Sequence, residues 1–229
     1  MKTQDQPILV QGTDEWRRHR HGKISASKVG DLISKKPEFT KTALSYLNDL
    51  EGERMLAPEI LNDPVKYADW LERTKKTSFA MEWGKYYENI ARNKFAEMMG
   101  WHIEEVGTYT HDEFSYLLAS PDGVVADLNL LVEIKCPQLK NFVEYAKGIR
   151  RGLSLKEIEA SYYWQVQAQL ACTNADGCAF VVYHPDELPK LYWMMVERNE
   201  DDIKLLLERV AAAEALMRAD MELLKSNVL

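Results

Sequence analysis

The chain has 229 residues, is 46% hydrophobic and carries a formal net charge of −7, enough apolar mass for a substantial core and most simply a single domain, 1–229. That balance argues against a general basic coat for nucleic acid, yet residues 1–50 hold nine Lys/Arg against six Asp/Glu while 197–229 hold five against eight, so a local basic surface near the N-terminal end remains open. Three cysteines, Cys136, Cys172 and Cys178, are too few and too irregular for a disulfide framework or closed zinc site, and with no charged-then-apolar leader or membrane-length run the reading is a reducing cytoplasm and no membrane.

In chain order, Thr13-Asp14 reads as a helix cap, and 14–33 as short helical pieces around Gly22-Lys23-Ile24-Ser25-Ala26-Ser27. Residues 35–42 are basic, carry Pro37 and read as a loop, and 43–76 read as helix-rich with breaks at Pro58 and Pro64. A helix is expected over 83–99, stopped by Gly100, with Trp83, Tyr87, Ile90, Ala91 and Met98 on its apolar face. Central strands follow, then a basic connector over 140–151 and a helix over 161–172. Segments 179–183 and 191–196 read as a β-hairpin, and Asp201 to about Leu224 as an amphipathic helix with an acidic start, its stripe suited to core or subunit packing.

The densest chemistry lies among the central strands. Ser120-Pro121-Asp122-Gly123 precedes Glu133-Ile134-Lys135, a D-x10-E-x-K pattern. If 130–136 is extended, Glu133 and Lys135 share one face and Ile134 takes the other. Asp127-Leu128-Asn129 supplies the turn that folds 123–126 back beside it. An exposed E-x-K pair is commonly a solvated ion pair. Here it interrupts the apolar run Leu130-Leu131-Val132-x-Ile134-x-Cys136, where charges are costly unless paired or metal-bound. Converging carboxylates suit Mg²⁺, and a neighbouring lysine can deprotonate a water or stabilise charge on a phosphate, so the pattern reads as a nuclease site.

Two helical positions point the same way. Glu88 shares a stripe with Gly84, Ala91 and Phe95, as a further metal ligand or a boundary acid pairing with Lys85 or Arg92. Gln165 lies between Tyr162 and Gln169 on one face, where an amide can orient a water or a phosphate oxygen, or simply form a polar surface stripe.

Taken together, Trp16 through Arg20 with Gly22-x-Ile24-x-Ala26-Ser27, Trp83-Gly84-Lys85-x-Tyr87-Glu88-Asn89, Ser120-Pro121-Asp122-Gly123, Glu133-x-Lys135-Cys136-Pro137 and Tyr162-x-x-Gln165-Val166-Gln167 resemble the phage lambda exonuclease family of YqaJ-type viral recombination nucleases. The resemblance implies an α/β (α+β) fold with a restriction-endonuclease-like PD-(D/E)xK core, a mixed central sheet flanked by helices. It further implies processive 5′→3′ digestion of one strand of linear double-stranded DNA by a homotrimeric ring in a bacterial cytoplasm, of phage or prophage origin, leaving a 3′ strand for a single-strand-annealing recombinase.

Residue by residue, the resemblance makes Asp122 and Glu133 the main ligands of two Mg²⁺ ions, for which Mn²⁺ can substitute, with the Ile134 carbonyl and Glu88 completing the set. Lys135 and Gln165 would flank the attacking water. Arg20, Ser27 and Ser120, together with Gln165, would hold a terminal 5′-phosphate, a guanidinium and hydroxyls forming an anion pocket. Met81 stands where the family places an aliphatic wedge against the end base pair, and Trp16 and Tyr162 are further DNA-end contacts. The family's basic loop becomes Lys35-Lys36-Pro37. A sequence-specific endonuclease or junction resolvase could use the same metal site, an iron–sulfur nuclease would need four cysteines, and a non-enzymatic end-binding protein would not need the full acidic set.

Overall fold

The computed structural model describes residues 9, 12–34, 36–74 and 77–226; the expected loop residue Lys35 lies outside them. Helix α1, Asp14–Arg20, starts at Thr13, whose hydroxyl accepts from the Trp16 N–H, and Gly22 at φ +66° turns the chain into the short strand β1, Ile24–Ser25. A 3₁₀ turn, Ala26–Lys28, leads into α2, Val29–Leu32. Thr40 caps α3, Lys41–Arg54, so the expected loop ends two residues early at its C-terminal side. Helices α4, Pro58–Leu61, and α5, Pro64–Thr74, each begin at a proline. The two expected breaks are thus helix starts, where a missing N–H costs nothing.

Helix α6, Phe79–Met99, is capped by Ser78 and closed by Gly100 at φ +66°, four residues longer at its start than expected. Its buried positions are Ala91, Arg92 and Phe95, with Trp83, Tyr87 and Met99 half-buried; Ile90 and Met98 are exposed. The expected apolar face was therefore rotated. Arg92 occupies a slot beside Ala91 because it pairs with Glu88 at 3.0 Å and Glu105 at 2.9 Å, so a charge is tolerated where an apolar residue was anticipated.

Strands β2, Tyr109–Thr110, and β3, Leu117–Ala119, join β1 in a three-stranded sheet of order β1-β3-β2. Strand β4, Gly123–Val125, turns through Ala126–Leu128 and a left-handed Asn129 into β5, Leu130–Lys135. Helix α7, Leu139–Arg150, replaces the expected basic connector, because Phe142, Tyr145 and Ala146 recur at helical spacing and are buried. After α8, Leu155–Ile158, come α9, Ala160–Thr173, β6, Gly177–Tyr183, β7, Leu191–Glu197, and α10, Glu200–Ser226. The second sheet runs β4-β5-β6-β7, with β5 and β6 parallel and the other pairs antiparallel. Residues 120–122 carry the chain from one sheet to the other.

Strand alternation divides the core in two. Leu131, Cys178, Phe180 and Val182 face the larger cluster with α9 and α10; Val132, Ile134, Ala179 and Val181 face the smaller one under α6. Helix α9 is buried continuously from Tyr163 to Thr173, including three glutamines. Buried amides must be bonded to avoid a desolvation cost, and their partners define the site. Among the described residues no helix is long and apolar enough to cross a membrane.

Candidate active site

Glu133 projects from β5 toward α9 and is almost wholly buried, at 1% exposure. Its Oε1 accepts from Gln165 Nε2 at 2.6 Å and from Lys135 Nζ at 2.6 Å, while its Oε2 accepts from Gln169 Nε2 at 2.6 Å. Lys135 also donates to Gln165 Oε1 at 3.2 Å and stands 4.7 Å over the Tyr162 ring. Period-2 alternation thus puts Glu133 and Lys135 on one face, and helical spacing brings Tyr162, Gln165 and Gln169 against it. Burial alone would lower the Lys135 pKa, but Glu133 and Asp122 more than reverse that and the net direction is up. Lys135 therefore keeps its proton at neutral pH.

Asp122 enters from the segment before β4, and its Oδ2 accepts from the Ile134 N–H at 2.7 Å. That N–H is available because β4 begins at Gly123, opposite Val132, leaving β5 unpaired on this side beyond that point. The Ile134 carbonyl points to the same open edge, since both backbone groups of a strand residue do. Burial, then the charges of Glu133 and Glu88, hold the Asp122 pKa well above the carboxylate range. Glu88, half-buried on α6, is likewise raised by burial, against the lowering effect of Arg92, with Glu133 adding to the rise.

Glu88 approaches from the α6 side of the sheet, whereas Glu133 faces α9. Among the described residues no three His, Cys, Asp or Glu side chains already converge on one metal position. The donor chemistry nevertheless fits a hard divalent cation: Asp122 and Glu88, each with its pKa raised by burial and by the charge of Glu133, stand beside an open backbone carbonyl. Glu88 pairs with Arg92, one of the two partners expected for a boundary acid, and lies within electrostatic reach of Asp122 and Glu133.

A second cluster adjoins the first through Ser120. Its hydroxyl meets Thr108 Oγ1 at 2.8 Å, Trp16 Nε1 at 3.4 Å and Arg20 Nη1 at 3.5 Å, and the Arg20 guanidinium lies 4.3 Å over the Trp16 ring. Ser27 is exposed, and its hydroxyl meets that of the buried Ser25 at 3.2 Å; among the described residues no hydrogen bond ties it to Arg20 or Ser120. Met81 is 60% exposed on the first turn of α6, free to contact a ligand but outside both clusters. Lys36 is exposed, and its carbonyl accepts from Ser34 at 2.6 Å. Sequence reasoning passed over Gln169 and Thr108 as site residues, although Gln165 and Gln169 at i, i+4 carried the signal for the former.

A family model for the YqaJ-like viral recombinase domain matches residues 15–176. No curated protein matches. Among solved structures, the alkaline exonuclease LHK-Exo from Laribacter hongkongensis is 29% identical, with a TM-score of 0.76 over 93% of this chain and 97% of that one; its complex with dAMP gives the same values. A phage-related exonuclease from Haemophilus somnus 129PT shares the fold at a TM-score of 0.67 and 14% identity, over 90% of this chain and 96% of that one.

Proposed function

Because the chain belongs to the YqaJ-like viral recombinase family, we propose that it is a Mg²⁺-dependent exonuclease that digests one strand of linear double-stranded DNA from the 5′ end and leaves a 3′ strand for annealing. The observation that carries this reading is the convergence of Asp122, Glu133, Lys135 and Gln165 at the open edge of β5. The alkaline exonuclease neighbour, 29% identical over nearly the whole chain, supports it.

Asp122, Glu133, the Ile134 carbonyl and Glu88 would hold the metal ions, which when bound supply an activated water and charge stabilisation at the leaving oxygen. Lys135, kept cationic by its carboxylate neighbours, gives up part of its bond to Glu133 to face the phosphate and stabilises the charge that builds there. Gln165 already bridges Glu133 and Lys135, so its amide fixes the spacing of the two and would present a polar group to an attacking water. Gln169 holds the other Glu133 oxygen and orients the carboxylate. Arg20 and Ser120, beside Trp16, would take a terminal 5′-phosphate in a charge-assisted contact.

A homotrimeric ring is part of this reading: a chain of net charge −7 grips a polyanion poorly alone, and a ring would gather its basic N-terminal surface around the DNA. An annealing recombinase acting on the exposed strand and a cytoplasmic setting follow from the same assignment. The test is digestion of a linear duplex with 5′-phosphate or 5′-hydroxyl ends, in Mg²⁺, Mn²⁺ and EDTA, beside a circular plasmid. Metal-dependent shortening of the phosphorylated linear duplex, with the plasmid intact, is the expected result; nicking of the plasmid at a comparable rate would overturn it in favour of an endonuclease.

A further inference from the structure

Glu88 does not stand alone on α6. One turn on, the buried Arg92 donates from Nη2 to Glu88 Oε1 at 3.0 Å and from Nη1 to Glu105 Oε2 at 2.9 Å, the first of these a pair at the i, i+4 spacing that a helix brings together. Each end of the guanidinium serves a different carboxylate through one bond, in place of the two-pronged fork of a simple arginine–carboxylate pair. Its Nε is buried with no partner among the described residues. Glu88 makes no other hydrogen bond among the described residues, so Oε2 is its free oxygen.

Glu105 is exposed, yet the backbone beside it is fixed. Its neighbour Glu104 exchanges two backbone hydrogen bonds of 2.9 Å with Val124 of β4, the strand that starts directly after Asp122. Arg92 therefore links the carboxylate of α6 to a segment pinned on the strand that follows Asp122.

Charge and orientation act in opposite directions at this link. Arg92 offsets the charge of Glu88, which by itself would weaken a cation site, and Glu105 restores one negative charge to the group. Orientation favours the cation: with Oε1 held by Arg92, Oε2 is left available, and carboxylates that bind metals are themselves held by hydrogen bonds.

We propose that Arg92 and Glu105 are positioning residues for the metal site: Glu105 holds Arg92, Arg92 holds Glu88 Oε1, and Oε2 is thereby presented to the divalent cation. This rests on the reading of Glu88 as a metal ligand given above.

Titration of the DNA-free protein with Mn²⁺, the free ion followed by electron paramagnetic resonance, measures the effect without catalysis. The binding step lost in Glu88→Gln identifies the position that Glu88 serves. At that step Arg92→Met, which keeps an unbranched side chain in the buried slot, should bind Mn²⁺ about tenfold more weakly, the low end of the range for removing a partner behind a metal ligand. Loss of a neighbouring positive charge alone would instead tighten binding. Arg92→Lys, which keeps the charge and one donor group, should recover part of the loss. Glu105→Gln, a change at an exposed side chain, should weaken the same step several-fold, and it carries the test if Arg92→Met does not fold. Binding as tight as wild type, or tighter, in a folded Arg92→Met protein would overturn the proposal and make Arg92 a competitor for Glu88. So would unchanged binding in Glu105→Gln, whatever its melting point. Failure of the underlying reading looks different: wild-type protein that binds no Mn²⁺, or Glu88→Gln that binds it unchanged, would remove the metal assignment of Glu88 and the proposal with it.

Discussion

The edge of β5 and the pocket around Arg20 touch at Ser120 but are built on different principles. The β5 centre sits in the sheet, its charges locked to one another by short bonds from Gln165, Gln169, Lys135 and the Ile134 N–H. The Arg20 pocket is assembled from α1, α3 and α5, elements held by single side chains reaching across the sequence, such as Arg18 to the Leu61 carbonyl at 2.7 Å and Arg54 to the Gly22 carbonyl at 2.6 Å. The centre keeps its geometry through sheet pairing, while the pocket depends on a few distant anchors. Changes in the first that keep its shape and hydrogen bonds should cost chemistry with little cost in folding, and changes behind the second should cost folding.

The sharpest test of that contrast lies in the centre, where the largest effects are expected. Glu133→Ala, Asp122→Ala and Lys135→Ala should each slow cleavage by more than about 100-fold, comparable to removing a transition-state donor; Glu133→Ala, which leaves Lys135, Gln165 and Gln169 without their buried partner, should also lower the melting point, whereas Glu133→Gln should lose the rate with the fold intact by circular dichroism. Asp122→Asn is the most telling variant, because the Ile134 N–H keeps an acceptor. The Asp122 pKa is raised, first by burial and then by Glu133 and Glu88. A carboxyl group shifted upward favours the folded state below its unfolded pKa and loses that contribution as pH rises through the folded value. Near neutrality in EDTA, then, Asp122→Asn should melt above wild type, and the gap should close as pH falls toward the usual 3.8. An inactive variant that melts lower would mean the carboxylate supports the fold.

In the pocket the expected loss is smaller and depends on substrate. If Arg20 holds the terminal 5′-phosphate, Arg20→Ala removes a charge-assisted contact worth roughly 1.5–3 kcal/mol, about 10- to 150-fold, and should slow digestion of 5′-phosphate ends sharply and of 5′-hydroxyl ends much less. Equal loss on both, with a shallower salt dependence, would reassign Arg20 to general backbone binding. Behind the pocket, Glu214 of α10 binds Arg54 at 2.7 Å and Arg218 at 2.8 Å, and Arg54 in turn holds Gly22. Glu214→Ala should cost about 2 kcal/mol, below the roughly 3–5 for a wholly buried pair, since Arg54 is 17% exposed. A melting point lowered by about 4–8 °C would show it; a wild-type melt would deny that the pocket hangs on this anchor.

The same contrast explains what the sequence disclosed. Period-2 alternation and the Asp127-Leu128-Asn129 turn were enough to place Glu133, Lys135 and Asp122, because a strand and its hairpin are local. The 161–172 helix was legible too, but not that its glutamines are buried, since burial depends on what α2, α10 and the sheet lay over it. Ile90 and Met98 were misread because helical periodicity gives a stripe and not its partner: Arg92, tied to Glu88 and Glu105, took the inner position. Basic residues hid α7 in the same way, its lysines lying on the outer face of an amphipathic helix. The cavity beside Arg20 was out of reach, because its walls come from α1, α3 and α5 and exist only when these three helices pack together.

Met81 offers the smallest and most selective test. It lies on the first turn of the helix that carries Glu88 yet is 60% exposed, so its side chain contributes little to packing. If it props against the terminal base pair, truncation removes only an apolar contact to an unstacking base. Unstacking one step costs on the order of a few kcal/mol, of which a single flexible side chain offsets a part. Met81→Ala should therefore slow digestion only a few-fold, more through G·C-rich ends than A·T-rich ones, with the melting point unchanged. A uniform slowing would make Met81 a generic contact, and no change on either end would leave strand separation to residues nearer Trp16 and Tyr162.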